Sequence, residues 1–243
     1  MKNFGRFLIF MYQLFINRER LAVYVKLIID ECILIGISSV FIVVIVSTFI
    51  GAVSAVQTAY NLISPLIPAY VIGQVVRDMT ILELAPTITC VVLAGKVGSN
   101  IAGGLGTMRI TEQIDALEVM GVNSISYLVL PKIIAAMITI PMLVVLAAFL
   151  SIMGGYMAGI FTGIMTETEY IKGIRADFNP FSVTFAIIKS FVFAFLIASI
   201  SSFKGFYTRG GALEVGLSST QAVTNSTIAI LCADFILAQL LLS

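Results

Sequence analysis

Histidine is absent from this 243-residue sequence, which removes the side chain that most often serves as a general base or a metal ligand. Cysteine occurs only at Cys32, Cys90 and Cys232, and no pair has the CxxC spacing of a redox or zinc motif. All three lie in or beside apolar runs, so we expect buried small side chains rather than disulfides or metal ligands. Without histidine, no serine or cysteine triad for nucleophilic catalysis is available.

Charged residues are also scarce, at 11% against about 25% in soluble domains. Hydrophobic residues make up 59% of the chain and the mean hydropathy is +1.08. Apolar runs of about 20 residues recur, which is the length that crosses a hydrocarbon core. They are continuously apolar, which disfavours a transmembrane barrel with its alternating strands. With a net charge of +1 and no basic patch, nothing indicates nucleic-acid binding. The sequence predicts an all-α polytopic membrane protein.

Residues 1–28 predict an amphipathic helix that lies on the membrane surface. Apolar residues from Phe4 to Phe15 follow helical spacing, and cations flank them on both sides. Gln13 and Asn17 interrupt the run and no small-residue cleavage site follows, so it is not typical of a removable signal. A short first membrane span is the alternative interpretation.

Five longer apolar runs predict five membrane spans. The first two are separated by a helix break at Ser64, Pro65 and Pro68 and by a polar turn at Arg77 and Asp78. A polar segment at 107–124 and a polar loop at 166–180 separate later runs. The predicted spans are 32–60, 82–105, 131–164, 181–202 and 220–242.

The distribution of cations predicts the orientation. With the N-terminus inside, nine cations lie on or near the cytoplasmic side: Lys2, Arg6, Arg18, Arg20, Lys26, Arg109, Lys132, Lys204 and Arg209. Four lie on the other side: Arg77, Lys172, Arg175 and, near a span end, Lys189. The positive-inside rule therefore places the N-terminus and segment 107–124 in the cytoplasm. No internal repeat is evident, which disfavours a secondary transporter built from inverted repeats.

Two carboxylates stand out in the apolar runs. Glu83 begins the second span, where it is either an ionisable group lining a wet cavity or an ordinary carboxylate at a helix start. Asp234 lies inside the last span and should face protein or water, with a partner that the sequence does not name. Glu83, Glu118 and Asp234 are expected at different depths, so they do not suggest an acid–base pair.

Small residues crowd one end of the second span. Close helix packing, including a subunit interface, is the expected role of Gly95, Gly98, Gly103 and Gly106. Gly95-Lys96 is not part of a phosphate-binding P-loop, because Cys90 stands where that motif needs glycine and Val97 where it needs serine or threonine. Any ATP site is therefore expected on another chain.

Segment 111–121 predicts a short helix with two faces. Apolar side chains lie on one side, Ile114, Leu117 and Met120 with Val119 nearby, and carboxylates on another, Glu112, Asp115 and Glu118. Thr111 is placed to cap its start and Gly121 to end it. It is either a solvated loop helix or a docking helix for a soluble partner.

Two motifs resemble MlaE-type (YrbE-type) permeases of ABC transporters. They are ELAPTITCVVLAGKVGSNIAGGLGTMRITEQIDALEVMGVNSISYLVLPK and the C-terminal KGFYTRGGALEVGLSSTQAVTNSTIAILCADFILAQLL, which together cover about a third of the chain. The resemblance implies one interfacial helix and five transmembrane helices, with a cytoplasmic coupling helix between the second and third. It also implies a homodimer in the inner membrane, two ATPase subunits that bind ATP and magnesium, and a periplasmic ring of MCE-domain proteins. Phospholipid or a related lipid is the implied substrate, and this chain is expected to bind no cofactor and to be non-catalytic.

The same resemblance assigns roles to two sets of residues. The implied coupling helix spans residues 111–121, and its assigned residues are Thr111, Glu112, Gln113, Ile114, Asp115, Ala116, Leu117, Glu118, Met120 and Gly121. The implied lipid cavity is lined by Leu82, Glu83, Pro86, Ile88 and Val91. Three positions depart from the family pattern: Leu82 and Lys96 stand in place of frequent arginines, and Gly104 in place of a frequent glutamate. A stand-alone ion-coupled carrier that uses Glu83 and Asp234 is the alternative function, and a membrane-embedded lipid-modifying enzyme is disfavoured by the missing histidine.

Overall fold

The computed structural model describes residues 2–14, 21–62 and 68–242, and all regular structure in these ranges is helical. The predicted fold class is therefore confirmed. The helices are α1 (Lys2–Gln13), α2 (Leu21–Cys32), α3 (Ser38–Asn61), α4 (Tyr70–Met79), α5 (Thr89–Leu93), α6 (Ser99–Ile110), α7 (Gln113–Val119), α8 (Ser124–Phe161), α9 (Glu167–Arg175), α10 (Pro180–Phe206) and α11 (Ala212–Leu242). Short π-helical segments join some of them, at Ile33–Ile37, Thr80–Ile88 and Ala94–Gly98.

These elements run together into five helices that are long and apolar enough to cross a membrane, as the sequence predicted. We number them the first to the fifth long helix: Val23–Asn61, Tyr70–Ile110, Ser124–Phe161, Pro180–Phe206 and Ala212–Leu241. The shortest has 27 residues, which exceeds the roughly 20 that a bilayer core requires. The predicted helix break at Ser64 and Pro65 lies outside the described residues.

The second, third and fourth long helices form the centre of the bundle. In an apolar 18-residue stretch of each, 56%, 50% and 50% of the residues are buried, against 22% in the first and 11% in the fifth. The first long helix packs on the third, and the fifth packs on the second and fourth. The first and fifth long helices therefore leave broad faces that this chain does not cover.

The polar turn predicted at Arg77 and Asp78 is wrong, because the second long helix already begins at Tyr70. Arg77 is only 2% exposed, and its guanidinium donates to the carbonyls of Ile174 at 2.7 Å and Ala176 at 2.5 Å. These carbonyls lie at the C-terminal end of α9, where helices have unpaired acceptors. The arginine thus caps a helix nearly 100 positions away in the chain, a relation that local sequence does not show.

Helix α9 is attached to the third long helix through Tyr170 and to the second through Arg77. At its start Thr166 and Glu169 form a capping box, and these hydrogen bonds hold the pKa of the Glu169 carboxyl below its ordinary value. Tyr170 is fully buried and donates its hydroxyl to the Ile152 carbonyl at 2.9 Å, and burial raises the pKa of Tyr170 to about 12. The connection between the third and fourth long helices is therefore an ordered helix that packs on the bundle, not an extended loop.

Helix α1 lies against the C-terminal end of the fourth long helix. Phe10 is fully buried, with ring centroids 5.6 Å from those of Phe203 and Phe206. The opposite face of α1 is exposed, with Leu8 and Tyr12 at 54% and 69%. Because 12 residues extend only about 18 Å, α1 is too short to be a membrane span. Residues 21–28 belong to the helix that continues into the first long helix, not to α1. The place of α1 at a membrane surface stays a prediction.

The first and third long helices meet backbone to backbone at glycines. A Cβ added to Gly154 would lie 2.1 Å from the Thr48 carbonyl oxygen, and one added to Gly51 would lie 1.8 Å from that of Ser151. Small residues permit such close approach between membrane helices.

We expect Gly154→Ala to separate these two helices and to lower the thermal unfolding midpoint in detergent by about 5 °C or more, since overpacking costs roughly 1–3 kcal/mol. Gly216→Ala is the matched control, because nothing lies within 4 Å of its added Cβ. Equal midpoints for the two variants would contradict the close contact.

Candidate functional site

The chain turns sharply between the second long helix and α7. Thr111 donates its hydroxyl to the Thr107 carbonyl at 2.8 Å, one turn back in the second long helix. Glu112 follows in the left-handed conformation, with φ of 60°, and is the residue that precedes α7. The predicted cap by Thr111 is therefore wrong, because threonine hydroxyls also bond carbonyls four residues back and here that partner prevails.

Gly121 ends α7, as the sequence predicted. Its φ is +80°, a conformation that glycine adopts without steric cost. The Gly121 N–H donates to the Glu118 carbonyl at 3.0 Å and the Val122 N–H to the Leu117 carbonyl at 3.1 Å, which is the Schellman pattern. The chain can then turn directly into the third long helix.

Side chains clamp α7 to the helices on both sides of it. Arg109, in the last turn of the second long helix, pairs with Asp115 at 2.7 Å. Ser124, at the start of the third long helix, donates to the Glu118 carboxylate at 2.8 Å. Ile114 is fully buried beneath α7. These contacts and the buried Ile114 connect α7 to the ends of both long helices.

The apolar residues predicted to share one face of α7 differ in burial. Ile114 faces the bundle, whereas Val119 and Met120 are 88% and 68% exposed. Helical spacing alone did not show which apolar side chains the bundle would cover. The exposed residues of segment 111–121 are Thr111, Glu112, Gln113, Ala116, Glu118, Val119, Met120 and Gly121.

A second constellation lies inside the bundle, and we call Glu83, Thr87, Lys189 and Asp234 the ion cluster. Lys189 of the fourth long helix is fully buried and forms ion pairs with Glu83, at 2.8 Å, and with Asp234. Thr87 Oγ1 lies 3.0 Å from a Glu83 oxygen and 3.2 Å from Asp234 Oδ1. The cluster thus joins the second, fourth and fifth long helices.

The ion cluster corrects two predictions. Glu83 and Asp234 were expected at different depths, but they share one ammonium group, which is the partner that Asp234 lacked in the sequence. Lys189 was placed near a span end, but it lies nine residues inside the fourth long helix. Neither Lys189 nor Thr87 was among the predicted site residues. Lys189 could have been found from its charge inside an apolar run, because ionisable residues within membrane spans usually pair with one another.

The residues predicted to line a lipid cavity differ in exposure. Pro86 is buried, Leu82, Ile88 and Val91 are partly buried, and the Glu83 side chain is 51% exposed. Their cavity role stays a prediction.

Two open grooves lie along the first long helix. One has a volume of about 470 Å³ and is lined by Ala52, Val53, Val56, Gln57, Tyr60 and Ala158. The other, of about 380 Å³, is lined by Ser54, Gln57, Thr58, Asn61, Leu62, Val75, Met79 and Leu84.

Three of the four predicted packing glycines lie against other helices. A Cβ on Gly98 would lie 2.9 Å from Ser201 Oγ, one on Gly103 3.2 Å from Ser219 Oγ, and one on Gly106 3.2 Å from Val215. Gly95 faces open space, so its interface role stays a prediction. Lys96 reaches the first long helix, where it donates to the Ser38 carbonyl.

The prediction that all three cysteines are buried is wrong: Cys90 is buried, Cys32 is partly buried and Cys232 is exposed. Within the described ranges, no group of three cysteine, aspartate or glutamate side chains is arranged to hold a metal ion.

We expect Ile114→Ala to loosen α7 and to destabilise the chain by about 2–5 kcal/mol, because it leaves a cavity beneath the helix. Val119→Ala should change stability by less than about 0.5 kcal/mol, since that side chain is exposed. Thermal unfolding of the purified variants in one detergent measures both. The clamp is contradicted if the two variants unfold at the same temperature.

Comparison with known proteins agrees with the two motifs. The family model described as Permease MlaE matches residues 28–240. A probable ABC transporter permease protein of Rickettsia bellii is 37% identical over 239 residues, which are 98% of this chain and 92% of that protein. A protein of the same description in Synechocystis is 35% identical over 212 residues, 87% of this chain and 80% of that protein. The Arabidopsis thaliana protein TRIGALACTOSYLDIACYLGLYCEROL 1, chloroplastic, is 35% identical over 207 residues, 83% of this chain and 57% of that protein. The chain therefore belongs to the MlaE family of ABC transporter permeases.

Proposed function

We propose that this chain is the non-catalytic membrane subunit of an ATP-driven transporter that moves phospholipid or a related lipid. Membership of the family implies an ATPase partner. The observation that supports the ATPase-docking role is the clamped helix α7, which ends in the exposed apolar pair Val119 and Met120. An exposed apolar pair on a rigid helix is suited to a partner's groove.

The side-chain contacts between α7 and the two long helices suggest how ATP hydrolysis by the partner would cause movement within the membrane. Closure of the ATPase subunits would displace α7, and the Arg109–Asp115 and Ser124–Glu118 contacts would pass that displacement to the second and third long helices. This is a rigid-body transition. ATP and magnesium would be bound by the partner, because Gly95-Lys96 lacks the surrounding P-loop residues.

The two grooves on the first long helix support a lipid substrate. The larger is lined almost entirely by apolar side chains, whereas the smaller adds Ser54, Thr58 and Asn61, and Gln57 lines both. An amphipathic molecule needs this combination, with acyl chains on apolar walls and polar atoms near its headgroup. The name of the Arabidopsis relative, which refers to a galactolipid, agrees with a lipid substrate.

The exposed faces of the bundle support a homodimer. The carboxylate of Glu83 is half exposed in the second long helix, beside a fifth long helix that is mostly uncovered. An ionised group that faces lipid is costly, so a second copy that encloses a wet cavity suits this face. In the proposed orientation the N-terminus and α7 lie in the cytoplasm, and the chain resides in the inner membrane. Helix α9 would then face a periplasmic ring of MCE-domain proteins.

We expect Val119→Asp and Met120→Asp to abolish copurification of the ATPase subunit, since each places a carboxylate in the proposed apolar contact. Thr168→Asp adds the same charge to the exposed surface of α9, at the opposite end of the third long helix, and should leave the ATPase bound. Mass spectrometry of proteins copurified with the tagged, membrane-inserted chain measures this. ATPase retained at wild-type levels by both α7 variants would exclude this docking role.

We expect Val56→Trp to fill the larger groove and to reduce ATP-driven lipid transport and copurified lipid several-fold, with ATPase binding unchanged. Val40→Trp places the same side chain on an exposed position of the first long helix outside both grooves, as a control. Quantification of lipid per chain and transport between vesicles tests this, and full transport by Val56→Trp would rule out the groove as the lipid path.

A further inference from the structure

The ammonium group of Lys189 is fully satisfied by hydrogen bonds inside the bundle. It donates to the Leu82 carbonyl at 3.1 Å and to Glu83 at 2.8 Å, and it also contacts Asp234. An ammonium group has three N–H donors, so these three acceptors use all of them. One of these acceptors, the Leu82 carbonyl, is an uncharged backbone atom of the second long helix. The ion pairs with Glu83 and Asp234 would not by themselves require this third contact.

The Leu82 carbonyl lies four residues before Pro86. In an α-helical register the amide of residue 86 would donate to this carbonyl, but proline has no N–H, so that bond cannot form. In the π-helical register the amide five residues on belongs to Thr87, and the second lone pair of the Leu82 carbonyl accepts another donor. Lys189 Nζ provides a donor at that carbonyl from the neighbouring helix. The surrounding residues Thr80–Ile88 form a π-helical segment with Pro86 inside it, so the backbone has departed from α-helical register. Prolines and π-helical turns are common causes of helix kinks.

We propose that Lys189 is a positioning residue that holds the Pro86-containing π-helical segment in one register. The second long helix then acts as a stiff lever between α7 and the surface around Glu83. The inference rests on the proposed transport function only for its mechanical consequence, because the role at Leu82 is a property of this chain alone. Without Lys189, the segment would bend or shift register when α7 is pushed, and ATP hydrolysis would be uncoupled from lipid movement.

The test uses an uncharged background, so that loss of the lysine leaves no unpaired buried carboxylate. In the complete assembly, Lys189→Met is combined with Glu83→Gln and Asp234→Asn. This triple variant is then compared with the same variant carrying Pro86→Ala, which restores an amide donor four residues after Leu82. Pro141→Ala, in the third long helix, is the matched control, because it also replaces a proline inside a helix but lies outside the Thr80–Ile88 segment.

The first readout is hydrogen–deuterium exchange of the backbone amides of residues 80–85, 87 and 88, which does not depend on the substrate. We expect exchange about tenfold faster in the triple variant, since a charge-assisted hydrogen bond to the backbone is lost. Adding Pro86→Ala should return it towards the wild-type rate, and adding Pro141→Ala should not. Wild-type exchange in the triple variant, or no recovery with Pro86→Ala, would overturn the proposal.

The second readout is the number of lipids moved per ATP hydrolysed. We expect this ratio to fall several-fold in the triple variant, with the ATPase still bound and active, and to recover with Pro86→Ala. A wild-type assembly that moves no lipid refutes the proposed function but leaves the exchange result to decide the role of Lys189. If the triple variant does not fold, the yield of folded protein replaces both readouts: rescue of folding by Pro86→Ala supports the proposal, and failure of rescue contradicts it.

Discussion

The ammonium of Lys189, buried among two carboxylates and a backbone carbonyl, joins the second, fourth and fifth long helices at one point. Removal of one partner from such a buried set costs about 3–5 kcal/mol, because it leaves a charge uncompensated. The second long helix also extends beyond the cluster to Arg109, which clamps α7. The geometry of the central helices and the position of α7 therefore depend on the same helix being held in place.

The chain combines a rigid centre with uncovered flanks. The second, third and fourth long helices bury about half of their apolar stretches, and they meet α7 at one end and α9 at the other. The first and fifth long helices leave open faces, one with two grooves and the other beside the half-exposed Glu83. In an assembly of two copies, the rigid centre would transmit force and the flanks would form the surfaces that contact lipid and the second copy.

The features that sequence predicted are those encoded locally. Continuous apolar runs predicted five long helices, and a glycine after a short amphipathic segment predicted the end of α7. The two motifs predicted the permease family. Long-range pairs were inaccessible: Arg77 caps α9 and Lys189 pairs with Glu83, each across about 100 positions, and Lys189 also pairs with Asp234 of another helix. Such pairs depend on how helices are rotated and shifted against each other. The burial of Ile114 depends on the same packing, and apolar periodicity does not specify it.

The most direct test of the account is lipid transport by the purified chain in proteoliposomes, with and without its ATPase partner and ATP. The account predicts that lipid moves only when both ATPase and ATP are present, and that an ion gradient cannot replace them. Lipid or ion movement by the chain alone, driven by a gradient and lost in Glu83→Gln or Asp234→Asn, would contradict it and would identify the ion cluster as the centre of a self-contained carrier.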